Sequence, residues 1–156
     1  MDMLIKLYNL PSPAQVLADL ANEGIVVRRA MSYEGSKIVR WVQTTFTTGW
    51  ADEVTAAFGH CPAGCYIAVD GGILCGFCCL NTTFRNFIGP IGVEERIRRK
   101  GVGRGMLLSA LNELFLSGYA YAIVGDVGQP VFFKDAAGAI EISDSSPGPY
   151  PARIGK

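Results

Sequence analysis

The chain has 156 residues, 49% of them apolar and 18% charged, a size and composition that suit one packed domain and exclude a disordered chain. Fourteen basic side chains balance fourteen acidic ones, so no overall field draws the chain to nucleic acid or to an anionic membrane, and any anion site has to be local. The first twenty residues mix Asp2, Lys6, Asn9, Pro11, Pro13 and Asp19 with apolar positions, which leaves neither a signal-peptide core nor a spanning segment and points to a soluble, cytoplasmic protein.

Met3 to Leu10 reads as a short strand stopped by Pro11. Ser12 then caps a helix with Val16, Leu17, Leu20 and Ala21 on one face and Gly24 at its end. Ile25 to Met31 follows as a strand. From Ser36 a helical pattern runs through Ile38, Val39, Val42 and Phe46, and a shorter one from Ala51 carries Val54, Ala57 and Phe58. Cys65 to Val69 and Ile73 to Leu80, joined by Asp70-Gly71-Gly72, form a hairpin signal. Phe84 to Val93 is a further strand, but Gly89, Pro90 and Gly92 interrupt its ladder, so it should bulge or part from a neighbour midway.

Val102 to Leu116 gives the clearest helix, with Leu107, Leu108, Leu111, Leu114 and Phe115 on one stripe and Gly118 after it. Tyr119 to Val124 is a strand broken by Gly125 to Gly128. Pro130 opens a short helix ending at Gly138, and Ala139 to Ser143 is the last strand. Residues 144–156, rich in Ser, Pro and Gly, read as an irregular tail. The sum is a single α/β (α+β) domain over residues 1–156, with no internal repeat.

Five cysteines crowd residues 61–79. Their odd number suits a reducing compartment better than a disulfide framework. Cys61, Cys65, Cys75 and Cys78 offer zinc-like spacing, but alternation along a strand sends Cys75 and Cys78 to opposite faces, so no metal is expected. His60 beside Cys61 reads as a loop residue, and Trp41 and Trp50 read as core anchors. The apolar run Cys75 to Cys79 suits either the core or the edge of a homodimer.

The segment Arg98-Arg99-Lys100-Gly101-Val102-Gly103-Arg104-Gly105 is the chemical signal. It lies between a strand ending at Val93 and the start of the long helix, where unpaired amides and the helix dipole favour an anion. Gly101, Gly103 and Gly105 permit close approach of phosphate to the backbone, and Arg98, Arg99, Lys100 and Arg104 add charged donors. The P-loop pattern is absent, and the third glycine of the dinucleotide fingerprint is replaced by Met106.

Ile91 to Leu108 resembles motif A of the GNAT (Gcn5-related) N-acetyltransferases, whose Arg/Gln-x-x-Gly-x-Gly/Ala pattern follows a strand-ending Val by five residues; Val93, Arg98, Gly101 and Gly103 match it. Phe132 to Ala139 falls where that family has a Phe-Tyr-Glu-Lys-type helix start. The order of elements is similar over residues 25–143, which makes residues 1–24 a strand-helix addition. A bacterial subgroup with Gly-Pro-x-Gly-Val, Gly-Tyr-x-Tyr-Ala-Ile and Ser-x-Pro-Gly-x-Tyr segments, some of whose members are associated with amino-sugar acetylation, is also similar.

The resemblance implies a mixed, mostly antiparallel sheet with a central pair of splayed parallel strands, here Phe87 to Val93 and Tyr119 to Asp126, flanked by helices. Acetyl-CoA would lie between those strands. Backbone groups near Ile91 and Val93 would hold its pantetheine arm and polarise the thioester carbonyl, with the pyrophosphate on residues 98–105 and Phe133 in contact with the cosubstrate. A small-molecule amine would be the acceptor. Asp126 is the first candidate for the base that takes the amine proton, with Glu94 and Glu95 as alternatives. The family's thiolate-protonating tyrosine corresponds to Phe133, which has no proton to give, leaving Tyr119, Tyr121, Tyr66, Tyr150 or water. Two other functions remain open: a non-catalytic CoA sensor, and a peptide or protein N-acetyltransferase.

Overall fold

The computed structural model describes residues 1–155, in chain order β1 (Met3–Lys6), α1 (Ala14–Asn22), β2 (Ile25–Arg29), α2 (Gly35–Thr45), α3 (Thr48–Ala57), β3 (Cys65–Asp70), β4 (Ile73–Leu80), β5 (Ile88–Val93), α4 (Val102–Leu116), β6 (Tyr121–Val124), α5 (Pro130–Ala137) and β7 (Ile140–Glu141). Every expected element is present, and the shifted boundaries have local causes. β1 stops at Lys6 because Leu7–Asn9 curls into a 3-10 turn that buries Leu7. α3 starts at Thr48, ahead of the expected Ala51, because the Thr47 hydroxyl accepts the Trp50 amide at 3.1 Å and caps the helix. β5 begins only at Ile88, since Asn81 and Asn86 at φ 58° and 56° turn the chain before it.

Strands β2, β3, β4 and β5 form one antiparallel sheet in that order. The β3–β4 hairpin turns at Gly71 and Gly72, both with positive φ. Between β4 and β5 the register slips opposite Gly89 and Pro90, with Cys78 across from Ile91 but Leu80 across from Ile88. A proline with no N–H to give to the ladder accounts for that slip.

The second sheet has the order β6, β1, β7, all antiparallel, so β1 is its central strand. Residues 1–24 are thus built into the middle of the molecule: Ile5, opposite Ala122 of β6, is fully buried in the core, and α1 packs on β2 and α4. A single parallel bridge, Phe87 to Ile123, joins the two sheets, with the Ile123 amide donating to the Asn86 carbonyl at 3.0 Å. Beyond it β5 and β6 part, forming a V.

Two cores sandwich the first sheet. On one face α1, α4 and the second sheet enclose Leu20, Ala68, Cys75, Cys78, Met106, Leu107, Leu108 and Leu111. On the other, α2 and α3 cover Ile38, Val42, Val54, Cys65, Ile67, Phe77 and Cys79. Cys75 and Cys78 therefore share a face, contrary to the strict alternation expected of them. A bulge in the β3–β4 pairing, where Ala68 faces Gly76 but Val69 faces Leu74, adds a residue and flips Cys75 over. Both thiols are buried, and burial pushes Cys75 up to about 11. Among the described residues no three His, Cys, Asp or Glu side chains converge as a metal site, and no helix is long and apolar enough to cross a membrane.

Candidate functional site

The open end of the V faces the start of α4. Gly101 sits at the helix N-cap in the left-handed region, φ 89°, where a side chain would be strained and its Cβ would stand 3.0 Å from Val16. No side chain caps this helix. The first amide bonded back along the helix is that of Gly105, to Gly101 O at 2.9 Å, so the Val102, Gly103 and Arg104 amides are free of intrahelical partners.

The remaining residues of the Gly-Arg segment divide sharply. Arg98 folds back so that its Nε donates to Val93 O at 3.0 Å, which fixes the loop to the end of β5 and leaves the terminal guanidinium nitrogens exposed. Arg99, at φ 68°, and Arg104 are exposed. Lys100 leans to Glu23, its Nζ 3.5 Å from the carboxylate. Val102 is buried in the core. Gly103 is part-buried, and a Cβ on it would sit 3.3 Å from the Phe132 ring and 3.5 Å from Val93 Cγ2, so it lies in the notch between β5 and α5. Gly105 is buried against α1, its place for a Cβ being 3.1 Å from Leu20 and 3.4 Å from Leu17. Gly105 serves helix packing and presents nothing to a ligand.

On β5, the Glu94 amide donates to Cys75 O at 2.9 Å. Alternation then turns the amides of Val93 and Ile91 away from β4, toward the gap. Both residues are half-buried. The other face of β5 is sealed: a Cβ on Gly92 would stand 2.7 Å from Phe46 and 2.8 Å from Phe77, part of an aromatic cluster with Trp41 and Trp50. Of the two α5 aromatics, Phe133 is 6% exposed and belongs to the core, whereas Phe132 meets Gly103. Phe132 is therefore the ring beside Gly103, while Phe133, the expected contact, lies in the core.

Asp126 lies just past β6, exposed, at φ 46°. Its amide donates to Asp2 Oδ1 at 2.9 Å. Glu94 is instead paired with Arg96 at 2.9 Å, and Glu95 is exposed in the 3-10 turn that follows, so neither shares the apex with Asp126. The tyrosines separate as clearly. Tyr121 meets Tyr8, Tyr66 lies under Arg29, and Tyr119 packs on the core. The Tyr150 hydroxyl rests against Gly125, at the end of β6.

Two residues at this apex carry no signal in the sequence. Asp2, near the N-terminus, reads as an ordinary surface acid, yet it is only 6% exposed. Glu53 lies on α3, where its carboxylate accepts the Thr83 hydroxyl at 2.9 Å. A concavity of about 410 Å³ between α2 and α3, lined by Val39, Arg40, Thr55 and Phe58, takes no residue from β5, β6 or α4.

Residues 35–130 match a family model described as the acetyltransferase (GNAT) family. No curated protein matches the sequence. Among solved structures, the chain is similar to the glucosamine N-acetyltransferase region of a fungal multi-domain beta-N-acetylglucosaminidase, with TM-score 0.72, 16% identity, and coverage of 87% of this chain and 19% of that one. It is similar to a GCN5-related N-acetyltransferase from Sphaerobacter thermophilus, with TM-score 0.68, 19% identity, and coverage of 89% and 47%. A GNAT family acetyltransferase from Brucella melitensis in complex with acetyl-CoA gives TM-score 0.56, 16% identity, and coverage of 71% and 82%. The chain thus spans under half the length of the first two.

Proposed function

The chain belongs to the GNAT acetyltransferase family, and from that premise we propose that it transfers an acetyl group from acetyl-CoA to the primary amine of a small molecule. One observation carries the reading: β5 and β6 meet at a single bridge and then diverge toward the uncapped N-terminus of α4. In this reading the pyrophosphate rests on the amides of Val102, Gly103 and Arg104, with Arg98, Arg99 and Arg104 supplying charge. The pantetheine arm runs along the unpaired edge of β5 past Val93 and Ile91. An amide on that edge polarises the thioester carbonyl as the amine adds to it. Asp126, at the apex, takes the proton that the amine must lose.

Amino sugars are the acceptors to try first, since one similar structure is a glucosamine N-acetyltransferase region, although at 16% identity that likeness is one of fold. A CoA-binding sensor is favoured by one observation, the two phenylalanines of α5 where a proton donor is useful. A thiol-release assay across glucosamine, polyamines, amino acids and peptides separates the two readings. Release with amines supports the transferase; binding without release over the whole panel supports the sensor. Acetyl-CoA is also expected to raise Tm, and Gly103→Glu, which puts a carboxylate where phosphate should sit, is expected to abolish that rise. An undiminished rise in the variant rules the cradle out.

A further inference from the structure

A thioester that loses its acetyl group leaves a thiolate in need of a proton, and α5 offers none from Phe132 or Phe133. The structure brings a phenol to the apex from elsewhere. The Tyr150 hydroxyl lies so close to Gly125 that a methyl group there would overlap it. The Tyr150 ring stands 6.4 Å from Phe84, which packs 5.0 Å from Phe87, the residue of the parallel bridge.

Irregular chain needs a reason to stay in such a place, and Asp2 supplies it. The Asp2 amide donates to Ser145 Oγ at 2.8 Å, its carbonyl accepts from the Ile142 amide at 3.0 Å, and its carboxylate accepts from the Asp126 amide. A Cβ on Gly148 would come 3.6 Å from the same carboxylate and 2.7 Å from the Tyr150 ring. Asp2 thus joins the turn after β6, held by its carboxylate, to the segment that leads to Tyr150, held by its backbone amide and carbonyl.

We propose that Tyr150 gives the departing thiolate of coenzyme A its proton and that Asp2 is the positioning residue that sets Tyr150, both resting on the acetyl-transfer reading above. The amine nitrogen bonds to the carbonyl carbon, the carbon–sulfur bond breaks with its electron pair going to sulfur, and the phenol proton goes to that sulfur. The nitrogen's proton passes to Asp126 and then to solvent. Tyr150 regains a proton from solvent, so the products are an amide and a free thiol.

The surroundings of the phenol suit this role. Burial, and after it the carboxylates of Asp2 before β1, Asp126 after β6 and Glu53 on α3, push its pKa above the ordinary 10.0. It stays protonated through neutral pH and loses its proton only as pH climbs through the raised value.

Tyr150→Phe keeps the ring and removes only the hydroxyl. It is expected to lower kcat about 100-fold, to leave the KM for acetyl-CoA and the ligand-induced rise in Tm unchanged, and to abolish the alkaline limb of the kcat profile. Asp2→Asn keeps an oxygen for the Asp126 amide but removes a charge, so the limb should move to lower pH. A purely structural role would lower Tm and leave the limb in place. Undiminished kcat in Tyr150→Phe overturns the donor, and an unmoved limb in Asp2→Asn overturns the positioning role. A readout without turnover is the ultraviolet titration of Tyr150, taken as the difference between wild type and Tyr150→Phe. CoA should shift it, and bound CoA without a shift overturns the proposal. Wild type that binds no CoA overturns the acetyl-transfer reading instead, and this proposal falls with it.

Discussion

At the bend between β2 and α2 the Glu34 carboxylate accepts two bonds from Arg28, at 2.6 and 2.9 Å, and one from the Met31 amide at 2.8 Å. The Arg28 hydrogen bonds are the main cause of a pKa held at about 2, below the ordinary 4.5. A lowered folded-state value means that the pair's stabilisation is present above pH 4.5 and is lost as pH falls from there toward 2. Glu34→Gln should therefore flatten the fall in Tm across that window, by under about 1 kcal/mol for a partly exposed pair; acid titration followed by circular dichroism checks it. At this scale the sequence speaks unevenly. Arg98, Gly101 and Gly103 are legible because each is needed for a local reason, charge or backbone conformation at a helix start. Phe132 and Phe133 are adjacent aromatics, and which one faces the groove depends on helix phase. Asp2 is illegible, because its burial comes from residues more than a hundred positions away.

Among the elements, α4 is the one most fully written in the sequence, since fifteen residues of helical apolar spacing between glycines fix both its ends and its buried face. It serves two purposes at once. Its first turn keeps its amides free of intrahelical partners, while Gly105, one turn in, lets α1 settle against it. β5 is legible in a different way: Pro90 announces that pairing fails, and the slip against β4 lies where the proline is. The same strand is held flat on its far face by Phe46 and Phe77, which leave no room for a side chain at Gly92. Gly92→Val is expected to cost about 1–3 kcal/mol by overpacking and to tilt β5, so that the variant loses acetyl-CoA-induced stabilisation beyond what its lower Tm explains. Denaturant melts with and without acetyl-CoA separate the two effects.

For the molecule as a whole, strand types could be read from the chain but strand partners could not. A hairpin such as β3–β4 declares its pairing through its turn, whereas nothing in Met3 to Lys6 says that it will lie between β6 and β7. The family match begins at residue 35, so β1 also lies outside it, as does β7 beyond residue 130. Ile5, with no exposed surface, anchors β1 in the core it shares with α4. Ile5→Ala should cost about 2–5 kcal/mol, and the amides of β1 should be among the slowest to exchange with deuterium, near the global unfolding limit; fast exchange there would show the second sheet to be separately labile. The central position of β1 also has a consequence in time. A ribosome releases this strand well before its two neighbours, which come from residues 121–141, so the strand waits with both edges unpaired while the chain between is made. The first sheet, whose strands are consecutive along the chain, can close while the rest is still being made. The cleft between β5 and β6 thus comes into being only once β6 is made, and a chain interrupted before Tyr121 holds one wall of it and none of the other.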